Sequence, residues 1–135
     1  MLVDLIEKGF GKDRGYNCVQ KVLFGTGEIY DLKLDEEMLI PLTNTLGGGL
    51  KTGNNCGALV GGVMALGKIF PDKEYQKEVV LYFIDSYKER MGLINCKELK
   101  DKYWTETENC DKIIIEAARV LQETIEKFQK RECEK

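Results

Sequence analysis

Residues 47–67 read GGGLKTGNNCGALVGGVMALG, and this stretch changes character at Cys56. Seven of the chain's 14 glycines lie between Gly47 and Gly62. The residues before Cys56 are mostly glycine or polar, whereas the residues after it are small and apolar. Three roles suit such a stretch: a phosphate-binding loop, a tight structural turn, or a segment that creates a reactive thiolate.

A helix is predicted from about Cys56 to Ile69. Asn54 and Asn55 are both favoured N-cap residues, and Pro71 cannot continue a helix. Cys56 would then lie in the first turn, where free backbone N–H groups and the positive end of the helix dipole stabilise a thiolate. Because the thiolate is the reactive form of cysteine, we interpret Cys56 as a redox-active residue.

Small residues follow Cys56 on this predicted helix. A glycine inside a helix costs roughly 1 kcal/mol relative to alanine, so repeated glycines indicate a need for space. A helix face made of small residues lets a second helix approach closely, or lets a cofactor lie against the backbone. On the second interpretation, Gly57 and Gly61 are cofactor-binding positions.

The glycine-rich part differs from known nucleotide-binding motifs. Lys51 and Thr52 precede the last glycine of the loop, which reverses the order found in a P-loop. Both the P-loop and the dinucleotide-binding fingerprint require a strand before the loop, and no strand is predicted there. Binding of another anion at the helix N-terminus stays open.

Patterns elsewhere in the chain predict more helices and no strand. A first helix ends at Gly9 and Gly11, and a second runs from Tyr16 to Phe24 and ends at Gly25–Gly27. A third helix follows Asp35, and Pro41 predicts either a later start or a kink in it. Two further helices run from about Tyr75 to Gly92 and from about Asn109 to Lys130, with Tyr103 and Trp104 in a connector. We therefore expect an all-α fold: a compact bundle of about five to six helices, one domain over residues 1–135, with a frayed tail at 130–135.

Composition narrows the function classes. The chain has 135 residues and a formal net charge of −3, which disfavours nucleic acid as a partner. No run approaches 18 apolar residues, so no membrane span is expected. The N-terminal residues lack the features of a signal peptide, and a cytoplasmic location is expected.

Two absences restrict the chemistry further. There is no histidine, which removes histidine-containing zinc sites and the CxxCH attachment of c-type haem. There is also no CxxC pair, so a thioredoxin-type motif and a zinc ribbon are excluded. The chemistry then depends on five cysteines, Cys18, Cys56, Cys96, Cys110 and Cys133.

Asparagine precedes the first four of these cysteines but not Cys133. Because asparagine is a favoured N-cap residue, this pattern predicts that four sulfurs lie at or near helix starts. The four are dispersed along the chain, so only the fold can bring them together.

The cysteine-containing segments resemble a known family. Asn17-Cys18-Val19-Gln20 lies in an early helix, Cys56-Gly57-Ala58-Leu59-Val60-Gly61 follows, and single cysteines stand at 96 and 110. This combination resembles the redox-active proteins named for the cysteine pattern C_GCAxxG_C_C. The family name writes Gly-Cys-Ala where this chain has Cys56-Gly57-Ala58, and the resemblance spans residues from Tyr16 to about Cys110.

The resemblance implies a helical redox protein in which Cys18, Cys56, Cys96 and Cys110 are the family's cysteines. The family is similar to a domain of the split-Soret cytochromes, which carry haem and an iron–sulfur centre. The haem part does not carry over, because this chain has neither histidine nor CxxCH. The iron–sulfur part is compatible with this chain, since it requires only cysteines. Cys133 lies outside the pattern and is interpreted as a free thiol in the tail.

The leading hypothesis is an oxidoreductase or electron carrier with an unidentified redox partner. Its four convergent cysteines ligate an iron–sulfur cluster, ligate zinc, or hold no metal and cycle between dithiol and disulfide, with Cys56 and Cys18 as redox residues. A homodimer suits the small-residue helix face. The alternatives are a helical module that binds a small molecule or an anion, and an interaction protein with inert buried cysteines.

Overall fold

The computed structural model describes residues 1–133, of which Cys133 is described by its backbone alone. Seven α-helices occur in this range: α1 (Leu2–Glu7), α2 (Cys18–Ile29), α3 (Glu36–Asn44), α4 (Gly57–Ile69), α5 (Lys73–Met91), α6 (Cys96–Tyr103) and α7 (Asp111–Cys133). Helix accounts for 73% of the described residues, and these residues form no strand. The predicted all-α class is confirmed, with seven helices where about five to six were expected.

Several helix boundaries follow directly from local sequence. Asn17 caps α2 through a capping box with Gln20, in which each side chain accepts a hydrogen bond from the other residue's backbone N–H. Asp35 caps α3 and Asp72 caps α5, as carboxylates commonly do at helix N-termini. Gly92 ends α5 with a φ of 81°, a conformation that favours glycine.

The predicted end of the second helix at Gly25–Gly27 is wrong, because α2 continues to Ile29. A Cβ added at Gly25 would lie 3.3 Å from Ile6 Cδ1, so this glycine lets α1 pack closely against α2. Tertiary packing therefore outweighs the low helix propensity of glycine here.

Three other boundaries also differ from expectation. The third helix begins at Glu36 and includes Pro41, so the later start is wrong, while the alternative of a kink at Pro41 stays a prediction. The predicted connector contains a short helix, α6, and Tyr103 is its last residue. The last helix extends to Cys133, whereas its predicted end was Lys130. The rest of the predicted frayed tail and the Cys133 thiol lie outside the described residues.

Helix α4 lies at the centre of the bundle. It packs along α2 on one side and against α5 and α7 on others, while α7 also packs against α1. Leu59, Leu66, Phe83, Ala117 and Leu121 are among the buried residues of this core. None of the helices within residues 1–133 has the length and apolar character needed to cross a membrane.

Candidate functional site

Four helix N-termini carry the cysteines of the predicted pattern. Cys18 is the first residue of α2 and Cys96 is the first residue of α6. Cys56 is the N-cap of α4, and Cys110 precedes α7 and accepts a 3.0 Å hydrogen bond from the backbone N–H of Ile114. The predicted placement of these sulfurs at helix starts is confirmed.

The predicted capping of α4 by Asn54 or Asn55 is wrong, because Cys56 itself occupies the N-cap position. Asn55 instead forms an isolated antiparallel bridge with Asn95. The backbone N–H of Cys56 donates to the Ile94 carbonyl at 3.0 Å, and that of Cys96 donates to the Asn54 carbonyl at 2.7 Å. These backbone hydrogen bonds join the segments that contain Asn55–Cys56 and Asn95–Cys96. The starts of α4 and α6 therefore lie side by side.

All four cysteines line one small cavity of about 30 Å³, together with Gly48, Gly57, Leu99, Lys100 and Ile113. We call this space the inner cavity. Its volume is room for about one water-sized group. The fold therefore gathers Cys18, Cys56, Cys96 and Cys110, although their spacing in the sequence does not indicate it. Cys56 and Cys96 are buried there, while Cys18 and Cys110 are partly exposed.

The glycine-rich loop forms one wall of the inner cavity. Gly48, Gly49, Leu50 and Lys51 have φ values of 66°, 61°, 62° and 66°, a short left-handed turn. A Cβ at Gly49 would overlap the Asn54 backbone and lie 2.8 Å from Cys96 Cβ, so this position requires glycine. Leucine and lysine in this conformation cost roughly 1–2 kcal/mol each. The loop is therefore a strained structural turn against the cysteines.

A buried glutamine connects the start of α2 to α3. Gln20 is 2% exposed, and its Nε2 donates to the Ile40 carbonyl at 3.2 Å, Thr43 Oγ1 at 3.1 Å and Asn44 Oδ1 at 2.7 Å. Its Oε1 accepts from the backbone N–H of Asn17 at 2.9 Å. These bonds hold the residues on either side of Cys18, which positions its sulfur.

Cys18 and Cys110 also line an open cleft of about 420 Å³, which we call the outer cleft. Its remaining lining includes Lys12, Lys21, Asp111 and Gly48. Lys12 Nζ lies 2.8 Å from Asp111 Oδ2, so these two charges neutralise each other. Cys18, Cys110 and Gly48 line both the outer cleft and the inner cavity, so the two spaces are adjacent.

Cys18 and Cys110 form a thiol–thiolate pair. A hydrogen bond from Cys18 lowers the pKa of Cys110 from the ordinary 9.0 to about 6, and Lys100 and Lys21 favour its thiolate as well. The same hydrogen bond raises the pKa of Cys18 far above its usual range, and burial raises it further. The structure therefore makes Cys110 the thiolate and Cys18 the proton donor.

The two inner cysteines are held as neutral thiols. Burial raises the pKa of Cys56 to about 11, although the backbone N–H groups of Leu59 and Ala58 favour its thiolate. Burial also raises the pKa of Cys96, against the opposing effect of Lys100. The sequence suggested that the helix N-terminus would control Cys56, but desolvation has the larger effect there.

The small-residue face of α4 is covered by α2. A Cβ at Gly61 would overlap the Val19 carbonyl oxygen, and one at Gly57 would lie 3.2 Å from Cys18 Cβ. The space that these glycines leave is filled by a second helix, the first of the two arrangements that the sequence suggested. Gly57 also lines the inner cavity, whereas Gly61 does not.

Sequence reasoning missed two lysines and the role of one glutamine. Lys21 and Lys100 come from different helices, and no local signal indicated that both would face Cys110. Gln20 could have been found, because Asn-x-x-Gln is the spacing of a capping box.

Within residues 1–133, no three cysteine or acidic side chains are spaced so that they could hold a metal ion. Four thiols without histidine nevertheless suit an iron–sulfur cluster or a tetrahedral zinc site in their chemistry. The donor set therefore fits such a group, but the spacing of the described side chains does not.

Replacing Gln20 by leucine is expected to destabilise the fold by about 2–3 kcal/mol. The leucine fills similar space but leaves the partly buried Asn17 N–H and the acceptors on α3 without their partner. Urea unfolding measures the effect. Gln76→Leu is the matched control and should cost less than 1 kcal/mol, since Gln76 makes a single bond to the Gly67 carbonyl. Equal costs for the two variants would refute the positioning role of Gln20.

Comparison with known proteins agrees with this constellation of cysteines. A family described as "Putative redox-active protein (C_GCAxxG_C_C)" matches residues 16–124, a range that contains all four cysteines of the site. No curated protein and no solved structure gave a match. Since the match covers most of the chain, this protein belongs to the C_GCAxxG_C_C family of redox-active proteins.

Proposed function

We propose that this chain is a thiol–disulfide redox protein in which Cys18 and Cys110 carry two electrons as a dithiol–disulfide pair. The observation that carries the proposal is a thiol–thiolate pair lying in the wall of an open cleft. Redox cysteines require a low pKa and access to a partner, and Cys110 combines both. A second cysteine within reach resolves the intermediate.

The reaction proceeds by two exchanges. The Cys110 thiolate attacks one sulfur of a partner disulfide, forms a mixed disulfide and releases one partner thiolate. Cys18 then gives up its proton to that thiolate and attacks Cys110 Sγ. This second attack expels the other partner sulfur as a thiolate, which takes a proton from water. The protein ends with a Cys18–Cys110 disulfide, and the partner disulfide has gained two electrons and two protons.

Cys56 and Cys96 support this pair from behind. Both are buried in the inner cavity and both have raised pKa values, so neither competes as a nucleophile at neutral pH. The backbone N–H groups of Cys56 and Cys96 donate to the Ile94 and Asn54 carbonyls, which holds the starts of α4 and α6 together at the inner cavity that Cys110 also lines.

Thiol counting with disulfide mapping tests the proposal. Metal-free protein is reduced, treated with a small disulfide, denatured and alkylated, and its peptides are analysed by mass spectrometry. We expect two thiols to disappear, a Cys18–Cys110 peptide to form, and both thiols to return with reductant. An unchanged thiol count, or a disulfide between Cys56 and Cys96 alone, would contradict the assignment.

We propose an all-cysteine metal centre as the second candidate, because the four sulfurs line one cavity at four helix N-termini. Cys18, Cys56, Cys96 and Cys110 would hold the metal after drawing closer together. An iron–sulfur cluster would supply one-electron transfer, and zinc would fix the four helix starts. Anaerobic purification followed by iron, sulfide and zinc analysis tests this candidate. Stoichiometric metal in the native protein supports it, and metal-free protein with the disulfide chemistry described above removes it.

A further inference from the structure

Lys21 is the charge that distinguishes the outer cleft from an ordinary groove. Lys12 and Asp111 neutralise each other at 2.8 Å, whereas Lys21 makes no ion pair with a carboxylate in residues 1–133. It lies near enough to Cys18 and Cys110 to favour the thiolate of each. In the outer cleft without a bound partner, the ammonium group of Lys21 therefore faces the thiolate of Cys110.

This balance changes during the proposed reaction. When Cys110 enters a mixed disulfide, its negative charge disappears and Lys21 loses the anion that it faced. Lys100, on the inner side of the same sulfur, loses that anion as well. Two ammonium groups are then left around the intermediate, and a negative group on the bound partner would compensate them.

We propose, on the basis of the proposed function, that the substrate is a small disulfide that carries carboxylates near its sulfur–sulfur bond. The volume of about 420 Å³ is that of a small-molecule site, and Lys21 provides the point charge that selects an anion. The ends of α2 and α7 at this cleft add positive dipole ends, which favour the same charge. The carboxylates thus bind beside Lys21 while their disulfide faces Cys110.

Three disulfides of similar size test the proposal: 3,3′-dithiodipropionate is anionic, bis(2-hydroxyethyl) disulfide is neutral, and cystamine is cationic. Each rate with the reduced protein is divided by the rate of the same disulfide with free 2-mercaptoethanol. We expect the normalised rates to fall in the order anionic, neutral, cationic. Added salt should reduce the differences.

Lys21→Gln should lower the anionic-to-cationic ratio about tenfold, and Lys21→Glu should invert the order. Lys68→Gln is the matched control and should leave the ratio unchanged, because Lys68 lies in the last turn of α4, away from Cys56. An effect of Lys21 on Cys110 reactivity alone would slow all three disulfides equally, and that result would overturn the proposal.

The same experiments distinguish failure of the proposed function from failure of the proposed substrate class. If none of the three disulfides oxidises the protein, Cys18–Cys110 exchange is refuted together with its substrate class. If exchange occurs but the Lys21 variants change no ratio, only the substrate class is refuted. A disulfide-linked acidic peptide distinguishes the source of the anion. Lys21 dependence with this peptide but not with dithiodipropionate would overturn the small-molecule assignment in favour of a protein segment.

Discussion

Replacing Cys110 by serine is expected to abolish disulfide formation and to remove the fastest thiol of the protein. With a pKa of about 6, Cys110 is about half ionised at pH 6, whereas a thiol with the ordinary pKa of 9.0 is ionised to about one part in a thousand. The lower nucleophilicity of a low-pKa thiolate reduces this advantage to about twentyfold. Alkylation by iodoacetamide across pH 4–9, followed peptide by peptide, measures it.

The pH dependence follows from the direction of each pKa shift. Alkylation of Cys110 should rise through a midpoint near pH 6 and then level off. Cys56, with a pKa of about 11, should still be increasing in rate at pH 9. A midpoint near pH 6 that persists in Cys110→Ser would show that another thiol is the reactive one.

Cys18→Ser is the informative counterpart of Cys110→Ser. The serine hydroxyl keeps a hydrogen-bond donor beside Cys110, so the low pKa should be largely retained. The variant lacks the resolving sulfur, and it should therefore accumulate a mixed disulfide at Cys110 that mass spectrometry detects. Rapid release of this adduct in Cys18→Ser would mean that a different cysteine resolves it. Cys96→Ser should complete the exchange as the unaltered protein does.

Replacing Gly61 by alanine is expected to destabilise the protein by about 3 kcal/mol. The added methyl group would overlap the Val19 carbonyl oxygen, so the backbones of α2 and α4 must separate. Overpacking of this kind costs typically 1–3 kcal/mol, and a backbone contact leaves little room for relaxation. Denaturant unfolding measures the loss, and the shift of Val19 should also disturb the adjacent Cys18.

Gly67→Ala in the same helix is the control. Its new Cβ would meet only Gln76 Nε2, at an ordinary contact distance of 3.8 Å. Because alanine favours helix over glycine, this variant should be stabilised by about 0.5–1 kcal/mol. If Gly61→Ala and Gly67→Ala changed stability alike, the close approach of α2 to α4 would not be the reason for the glycine.

The fold class was predictable because most helix signals are local. Asn17, Asp35 and Gly92 act on residues within one turn of themselves, and each begins or ends a helix as expected. The wrong boundary at Gly25 has the opposite cause. Its glycine was read as a helix terminator, but it is needed for contact with Ile6 on α1, which no local pattern reveals.

The candidate site was predictable in its members but not in their chemistry. Asparagine before Cys18 and Cys96 marked the starts of helices, although α6 was missed as an element. The sequence predicted a reactive role for Cys56 because the start of its helix could be recognised from local residues. Cys110 has the lower pKa because Cys18 and two lysines from other helices surround it.

For the glycine-rich loop, too, the sequence predicted one part of the result and only the structure revealed the other. The order of its residues argued against a P-loop, but only the structure revealed four successive left-handed residues, of which Gly49 lies against Cys96. The sequence by itself determined the all-α class, the helix starts and the presence of four cysteines there, because capping acts between neighbours. The tertiary structure alone decided that Cys110 has the lowered pKa and that Cys18 and Cys110 line the outer cleft. Burial and charge at a sulfur depend on residues that are distant in the chain, and only folding brings these together.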